Sequence, residues 1–174
     1  MKLKFYKMYK DVVTPNFATE GSACFDIHAY IPNECSFVVY DMSNKKIEKT
    51  PEWYNKEHGP KLSITLKPAE RILVPTGIIF DIPENHSVRL HTRSSISLKL
   101  GLTMPNGEGI IDSDYYHQTF VMLHNASADE VIIKHGDKIA QAELIPNLEY
   151  HIEETADVPE QKTSRVGGFG STGK

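Results

Sequence analysis

The sequence predicts an all-β fold, a sandwich or barrel of short strands, on three observations. Apolar and polar residues alternate with period two in short runs; Pro and Gly signals interrupt those runs roughly every 8–12 residues; and long amphipathic helical patterns are absent. A chain of 174 residues is enough for one domain with its own core.

From Val38 to Lys61 the rhythm breaks. This stretch is polar, rich in Lys and Glu, and holds the single tryptophan, Trp53, so it reads as an insertion. Thr50 before Pro51 has the form of an N-cap and first helical position, which predicts a short helix over Pro51–His58 that ends at Gly59. The segment is either a solvated excursion or a docking surface for a protein partner. Next, Leu62, Ile64 and Leu66 alternate with Ser63, Thr65 and Lys67, as in a half-buried strand stopped by Pro68. Arg71 to Phe80 is a β-branched and apolar run punctuated at Pro75-Thr-Gly77. Val88 and Leu90 alternate with Ser87 and Arg89, and Ser94–Leu98 has room for a turn of helix. Pro105-Asn106-Gly107 signals a hairpin. Further strands follow over Thr119–Leu123, Glu130–Ile133 and Ile139–Ile145, separated by Gly136-Asp137 and closed by Pro146.

A formal charge of −4 argues against a surface built for polyanions such as nucleic acids, whereas a mononucleotide needs only a local cationic site. No apolar run reaches signal-peptide or membrane-span length, so a soluble, intracellular protein is expected, cytoplasmic in a prokaryotic or viral setting. Cys24 and Cys35 lack metal-ligand spacing and read as buried thiols. The eight histidines form no H-E-x-x-H and do not pair with the cysteines along the chain, so zinc chemistry has no foothold in the spacing.

Two segments carry chemistry. Arg93-Ser94-Ser95 supplies charge-assisted and hydroxyl donors suited to phosphate oxygens. After Asn106-Gly-Glu-Gly109, the arm Ile110-Ile111-Asp112-Ser-Asp114-Tyr115 sets Asp112 and Asp114 on one face, with Asp112 as a base for water or both as loop acids that merely cap. The end of the chain, Arg165–Lys174, combines glycines, hydroxyls, cations and Phe169, the make-up of a phosphate-gripping arm or of a disordered tail. Gly168–Lys174 has P-loop spacing without the following hydroxyl residue or the flanking strand and helix. Ser171 likewise lacks the context of a nucleophile elbow.

These segments resemble the homotrimeric dUTPase family, whose five motifs occur in order. They are Ala18-Thr-Glu-Gly-Ser-Ala-Cys-Phe25-Asp26-Ile-His-Ala29, Arg93-Ser94-Ser95 with Lys99 and Gly101, Asn106 to Tyr115, Gly136-Asp-Lys-Ile-Ala-Gln141-Ala-Glu-Leu-Ile-Pro146, and the tail from Arg165. The resemblance implies a distorted β-barrel or jelly-roll-like subunit over residues 1–164, with 38–61 inserted. Residues 165–174 would be a flexible C-terminal arm that closes a neighbour's site in a homotrimer. It implies hydrolysis of dUTP to dUMP and pyrophosphate, which limits uracil in DNA and supplies dUMP for dTMP synthesis. Asp112 would activate the water that attacks the α-phosphorus. Asn106, Gly109, Ile111 and Tyr115 would hold uracil and deoxyribose, with Phe169 stacked on the base. Arg93, Ser94, Ser95, Gln141, Arg165, Gly170, Ser171 and Thr172 would hold phosphates. Mg2+ would be carried by the substrate's phosphates and waters, beside Asp26 and Gln141.

The pattern departs from the family after Tyr115, where Tyr116-His117 replaces a small residue and glycine. A dCTP deaminase or bifunctional enzyme of the same fold requires a glutamate in the next strand, and Thr119–Asn125 holds no acid. A non-catalytic nucleotide- or protein-binding module is the other alternative, against which the retained Asp112 argues.

Overall fold

A computed structural model describes residues 1–56, 59–164 and 167. The strands are β1 (Lys4–Lys7), β2 (Asn16–Phe17), β3 (Phe25–His28), β4 (Phe37–Tyr40), β5 (Lys46–Lys49), β6 (Glu52–Lys56) and β7 (Gly59–Leu66). Then come β8 (Arg71–Pro75), β9 (Ile78–Asp81), β10 (His86–His91), the helix α1 (Ser94–Leu100), β11 (Leu102–Thr103) and β12 (Gly109–Ile111). The last are β13 (Phe120–Asn125), β14 (Val131–Lys134) and β15 (Lys138–Pro146).

Two five-stranded antiparallel sheets, in the orders β12-β10-β15-β3-β2 and β11-β13-β8-β4-β5, turn their apolar faces into one core. Val88, Leu90, Ala140, Ala142 and Ile27 come from the first sheet, and Val39, Ile72, Val74, Val121 and Leu123 from the second. Each buried aliphatic side chain contributes about 1.5–3 kcal/mol, and the period-two pattern leaves the alternate positions polar. A three-stranded sheet, β14-β7-β6, and the pair β1-β9 complete a jelly-roll-like arrangement; among the described residues no sheet closes into a barrel.

Three local expectations change. Residues 52–56 form β6 rather than a helix, because Trp53 and Tyr54 favour the pleated ladder and pair with Leu62 and Lys61; His58 lies outside the described residues. The polar segment starts later than its composition indicated: Phe37 and Val39 are buried in β4, and the following hairpins extend two sheets. Pro105-Asn106-Gly107 makes a turn, with Gly107 N–H donating to Met104 O at 2.9 Å, but not a hairpin. The flanking strands β11 and β12 pair with β13 and β10 in different sheets.

Beyond β15, residues 148–164 run as exposed chain without regular structure. The predicted arm residues Arg165, Phe169, Gly170, Ser171 and Thr172 lie outside the described residues.

Candidate active site

The segment from Met104 to Tyr115 builds a cavity of about 300 Å³ between the two large sheets. Leu73, Leu90, Met104, Phe120 and Met122 supply apolar walls, and Asn106, Gly109, Ile111, Asp112 and Tyr115 line it as well. The turn is held by its own chain, since Asn106 Nδ2 donates to Glu108 O at 2.9 Å and Gly107 takes a positive φ of 74°. Gly109 packs tightly: a Cβ there would stand 3.0 Å from Leu90 Cβ and 3.2 Å from Met104 Cε, so its neighbours would have to give by a few tenths of an ångström.

At Ile111 the strand ends, and Tyr115 N–H donates to Asp112 O at 3.1 Å, closing a turn. Period two therefore stops at Ile111, and the expected shared face of Asp112 and Asp114 does not form. Asp112 lines the cavity, exposed at its edge, while Asp114 does not line it. Tyr115 Oη donates to Gln118 O at 3.0 Å, and Gln118 Oε1 accepts from Gly77 N–H at 3.0 Å. These bonds anchor Tyr116-His117 without the glycine that the family pattern carries there.

A second cluster lies at the far end of β10. Register sets His91 opposite Gln141 and Gln141 opposite Asp26, and Arg93 follows directly as the N-cap of α1. Asp26 is buried at 6% exposure. Arg93 Nε reaches its Oδ1 at 3.0 Å, and Lys138 Nζ lies 2.6 Å from Oδ2 as an ion pair without hydrogen-bond geometry. Gln141 Nε2 donates to Thr92 O at 3.5 Å, and Ser94 and Ser95 are exposed at the start of α1. Sequence reasoning passed over Lys138 as a site residue, although it lies inside the fourth motif. It also passed over the apolar walls, which belong to strands remote in sequence.

Within one chain Asp112 is apart from this cluster. Asp112 follows Ile111, which faces Val88, whereas Arg93 stands five residues beyond Val88, on the order of 15 Å at strand rise. A larger groove of about 840 Å³ runs over β4 and β8 and shares Leu73, Phe120 and Met122 with the cavity. Among the described residues its lining includes Lys46 and Arg71 and no carboxylate.

Residues 61–173 match the dUTPase family model. The chain belongs to the dUTPase family. A deoxyuridine 5'-triphosphate nucleotidohydrolase of Hydrogenobaculum sp. (strain Y04AAS1) is 34% identical over 174 residues, covering 99% of each chain. In fold, the chain is similar to a Staphylococcus bacteriophage 80alpha dUTPase variant solved with dUpNHpp, at a TM-score of 0.73 and 17% identity over 99% of this chain and 98% of that one. It is also similar to a phage phi11 dUTPase variant described with a structural Mg(II) ion, at a TM-score of 0.68 and 16% identity over 92% and 100% of the two chains. Four of the family's five motifs thus fall into two places, the third at the cavity and the first, second and fourth at the charged cluster. No helix among the described residues is long and apolar enough to cross a membrane.

Proposed function

We propose that this chain hydrolyses dUTP to dUMP and pyrophosphate, with Asp112 taking a proton from the water that attacks the α-phosphorus. The observation that carries the reading is Asp112 at the edge of a largely apolar cavity in which Gly109 packs closely on Leu90 and Met104. A flat pyrimidine fits against Gly109 and Ile111, and the same close approach disfavours a base with an added methyl group. Tyr115, held by Gln118, offers its ring to the deoxyribose and leaves little space for a 2′-hydroxyl. The phosphates fall to Arg93, Ser94, Ser95 and Gln141, and residues 165–174 supply Arg165, Gly170, Ser171 and Thr172 to the phosphates and Phe169 to the base.

One acid acting as base supplies about 10²–10⁴-fold, so most of the rate enhancement comes from positioning and fixed charge. Those charges are too far from Asp112 in the same chain to meet it on one phosphorus. The reading therefore includes a homotrimer in which the cavity of one chain faces the Asp26–Arg93–Gln141 cluster of the next.

Magnesium suits the charged end. Asp26 keeps a buried Oδ2 lone pair without a hydrogen bond, and its charge is more than offset by Arg93 and Lys138, so it is not free to hold a metal directly. This fits a hard cation carried by phosphate oxygens and waters, with Asp26 and Gln141 accepting from and donating to those waters. Bound there, the ion would neutralise charge gathering on the phosphates.

The test is pyrophosphate release from dUTP, dTTP, dCTP and UTP. Release confined to dUTP supports the reading; ammonia from dCTP would move it to deamination, and a folded protein that binds dUTP without turnover to a binding module. The shared site has its own test. Arg93→Ala and Asp112→Asn chains, each impaired alone, give activity above the average of the two when unfolded and refolded together, and no such gain would place all the residues of a site in one chain.

A further inference from the structure

We propose that Cys24, His91 and Glu143 form a binding site for a borderline-soft divalent cation of the Zn2+ class, separate from any magnesium carried by a nucleotide. One ligand atom from each residue lies within 4.8 Å of the other two, and all three side chains are half-buried. His91 Nε2 and Glu143 Oε1 are 3.0 Å apart. The grouping is invisible to linear spacing and arises from strand pairing. β15 runs between β10 and β3, so that positions of β10 and β15 and the residue just before β3 converge.

The donor set is one thiol sulfur, one imidazole nitrogen and one carboxylate oxygen. Mg2+ and Ca2+ call for oxygen cages, whereas Zn2+ and Co2+ take this mixture, and three protein ligands leave a fourth tetrahedral position open.

A second observation supports the assignment. The other imidazole nitrogen, His91 Nδ1, lies 3.7 Å from Glu108 Oε1, and Glu108 Oε2 is held by Arg89 Nη1 at 3.1 Å. As the chain stands, Nε2 is hydrogen-bonded to Glu143; a metal taken on Nε2 leaves the ring proton on Nδ1, which faces the Glu108 carboxylate, and a carboxylate behind a histidine recurs at zinc sites. Arg89 faces Glu143 across the strands, but its guanidinium is spent on Glu108 and Ser87. The nearest cation of the sheet thus does not occupy the place a metal would take.

Position gives the site its consequence. Each ligand stands two residues along its strand or strand end from a member of the charged cluster: Cys24 from Asp26, His91 from Arg93 and Glu143 from Gln141. Two strand residues span about 7 Å. A metal held here clamps the three segments that present Asp26, Arg93 and Gln141, so its occupancy adjusts the charged cluster without entering it.

The experiment uses the full-length protein, freed of metal with a chelator and titrated with Co2+. The expected result is saturable binding of one Co2+ per chain with a thiolate-to-cobalt charge-transfer absorption that Zn2+ removes and Mg2+ does not. Cys24→Ser abolishes the absorption, and His91→Gln and Glu143→Gln each weaken binding at least about tenfold. Glu108→Gln, which removes only the partner behind the histidine, weakens it about 10–100-fold. Metal-free melting curves establish that each variant is folded; should Cys24→Ser fail to fold, the two glutamate variants carry the test. The proposal is overturned if the wild-type protein gives no charge-transfer absorption, if the absorption survives in Cys24→Ser, or if Mg2+ displaces the cobalt.

Discussion

The cavity, which runs along β10 from the Asp112 side to Leu90, and the charged cluster beyond His91 are made in opposite ways. Most of the cavity's polar lining comes from one continuous stretch, Asn106 to Tyr115, folded on itself by a turn, a positive-φ glycine and its own hydrogen bonds. The cluster draws Asp26, Arg93, Lys138 and Gln141 from three distant parts of the chain, joined only by strand register. Shape is thus set locally and charge is set by topology. The cavity is already shaped for a base, whereas at the cluster an incoming phosphate must compete with Asp26 for Arg93.

The comparison breaks most sharply at Asp112. Asp112→Asn keeps the shape of the cavity and loses the base, so kcat for dUTP should fall about 10²–10⁴-fold while nucleotide binding persists. Pyrophosphate release beside equilibrium binding measures both, and an unchanged rate would remove the cavity end from the chemistry. Deletion of residues 165–174 should lower turnover about 10²–10³-fold, the scale for losing donors preorganised around the reacting group. Since the deletion follows an exposed stretch, the melting temperature should hold; a large drop would make those residues structural.

Arg93→Ala tests the charged end. Loss of a charge-assisted donor should lower kcat/KM by about 10- to 100-fold, consistent with roughly 1.5–3 kcal/mol for such a bond, and Arg93→Lys should restore only part, because a point charge lacks the fork. Gly109→Ala tests the cavity by shape alone. The new methyl presses on Leu90 and Met104, so KM for dUTP should rise and stability should fall by about 1–3 kcal/mol, read from denaturant unfolding. An unaltered KM would mean that the base does not rest on this strand.

The smallest effect is one of pH. Burial, helped by Lys138 and Arg93 and opposed by Asp26 and Asp137, holds the His28 imidazole below its ordinary pKa. The unfolded chain then binds the extra proton first, so stability is full above about pH 6.5 and declines as the pH falls through that value. Melting curves from pH 7.5 to 5 should show a shallower decline in His28→Gln, and an identical slope would assign the acid loss to other groups.

Much of the fold could be read from local pattern. The alternation at Leu62–Leu66 and at Ser87–Leu90 marks parts of β7 and β10, and Pro75-Thr-Gly77 marks the break between β8 and β9. Ser94–Leu98 lies within α1. At residues 52–56 the N-cap and proline signal was outweighed by Trp53 and Tyr54, whose partners on β7 lie across a hairpin. The reading of Asp112 and Asp114 as a pair failed because alternation holds only while the chain stays extended.

By itself, the sequence determined the all-β class, the turns, the glycine-bounded segment before Asp112 and the order of the family's motifs, since each depends on residues close along the chain. Tertiary structure alone decided that Asp26 is buried between Arg93 and Lys138, that Cys24 meets His91 and Glu143, and that Asp112 stands far from Arg93. Those relations follow from antiparallel register between strands distant along the chain, β3 and β15 the farthest apart. That register is selected by which faces bury their apolar side chains together, and no local period encodes it.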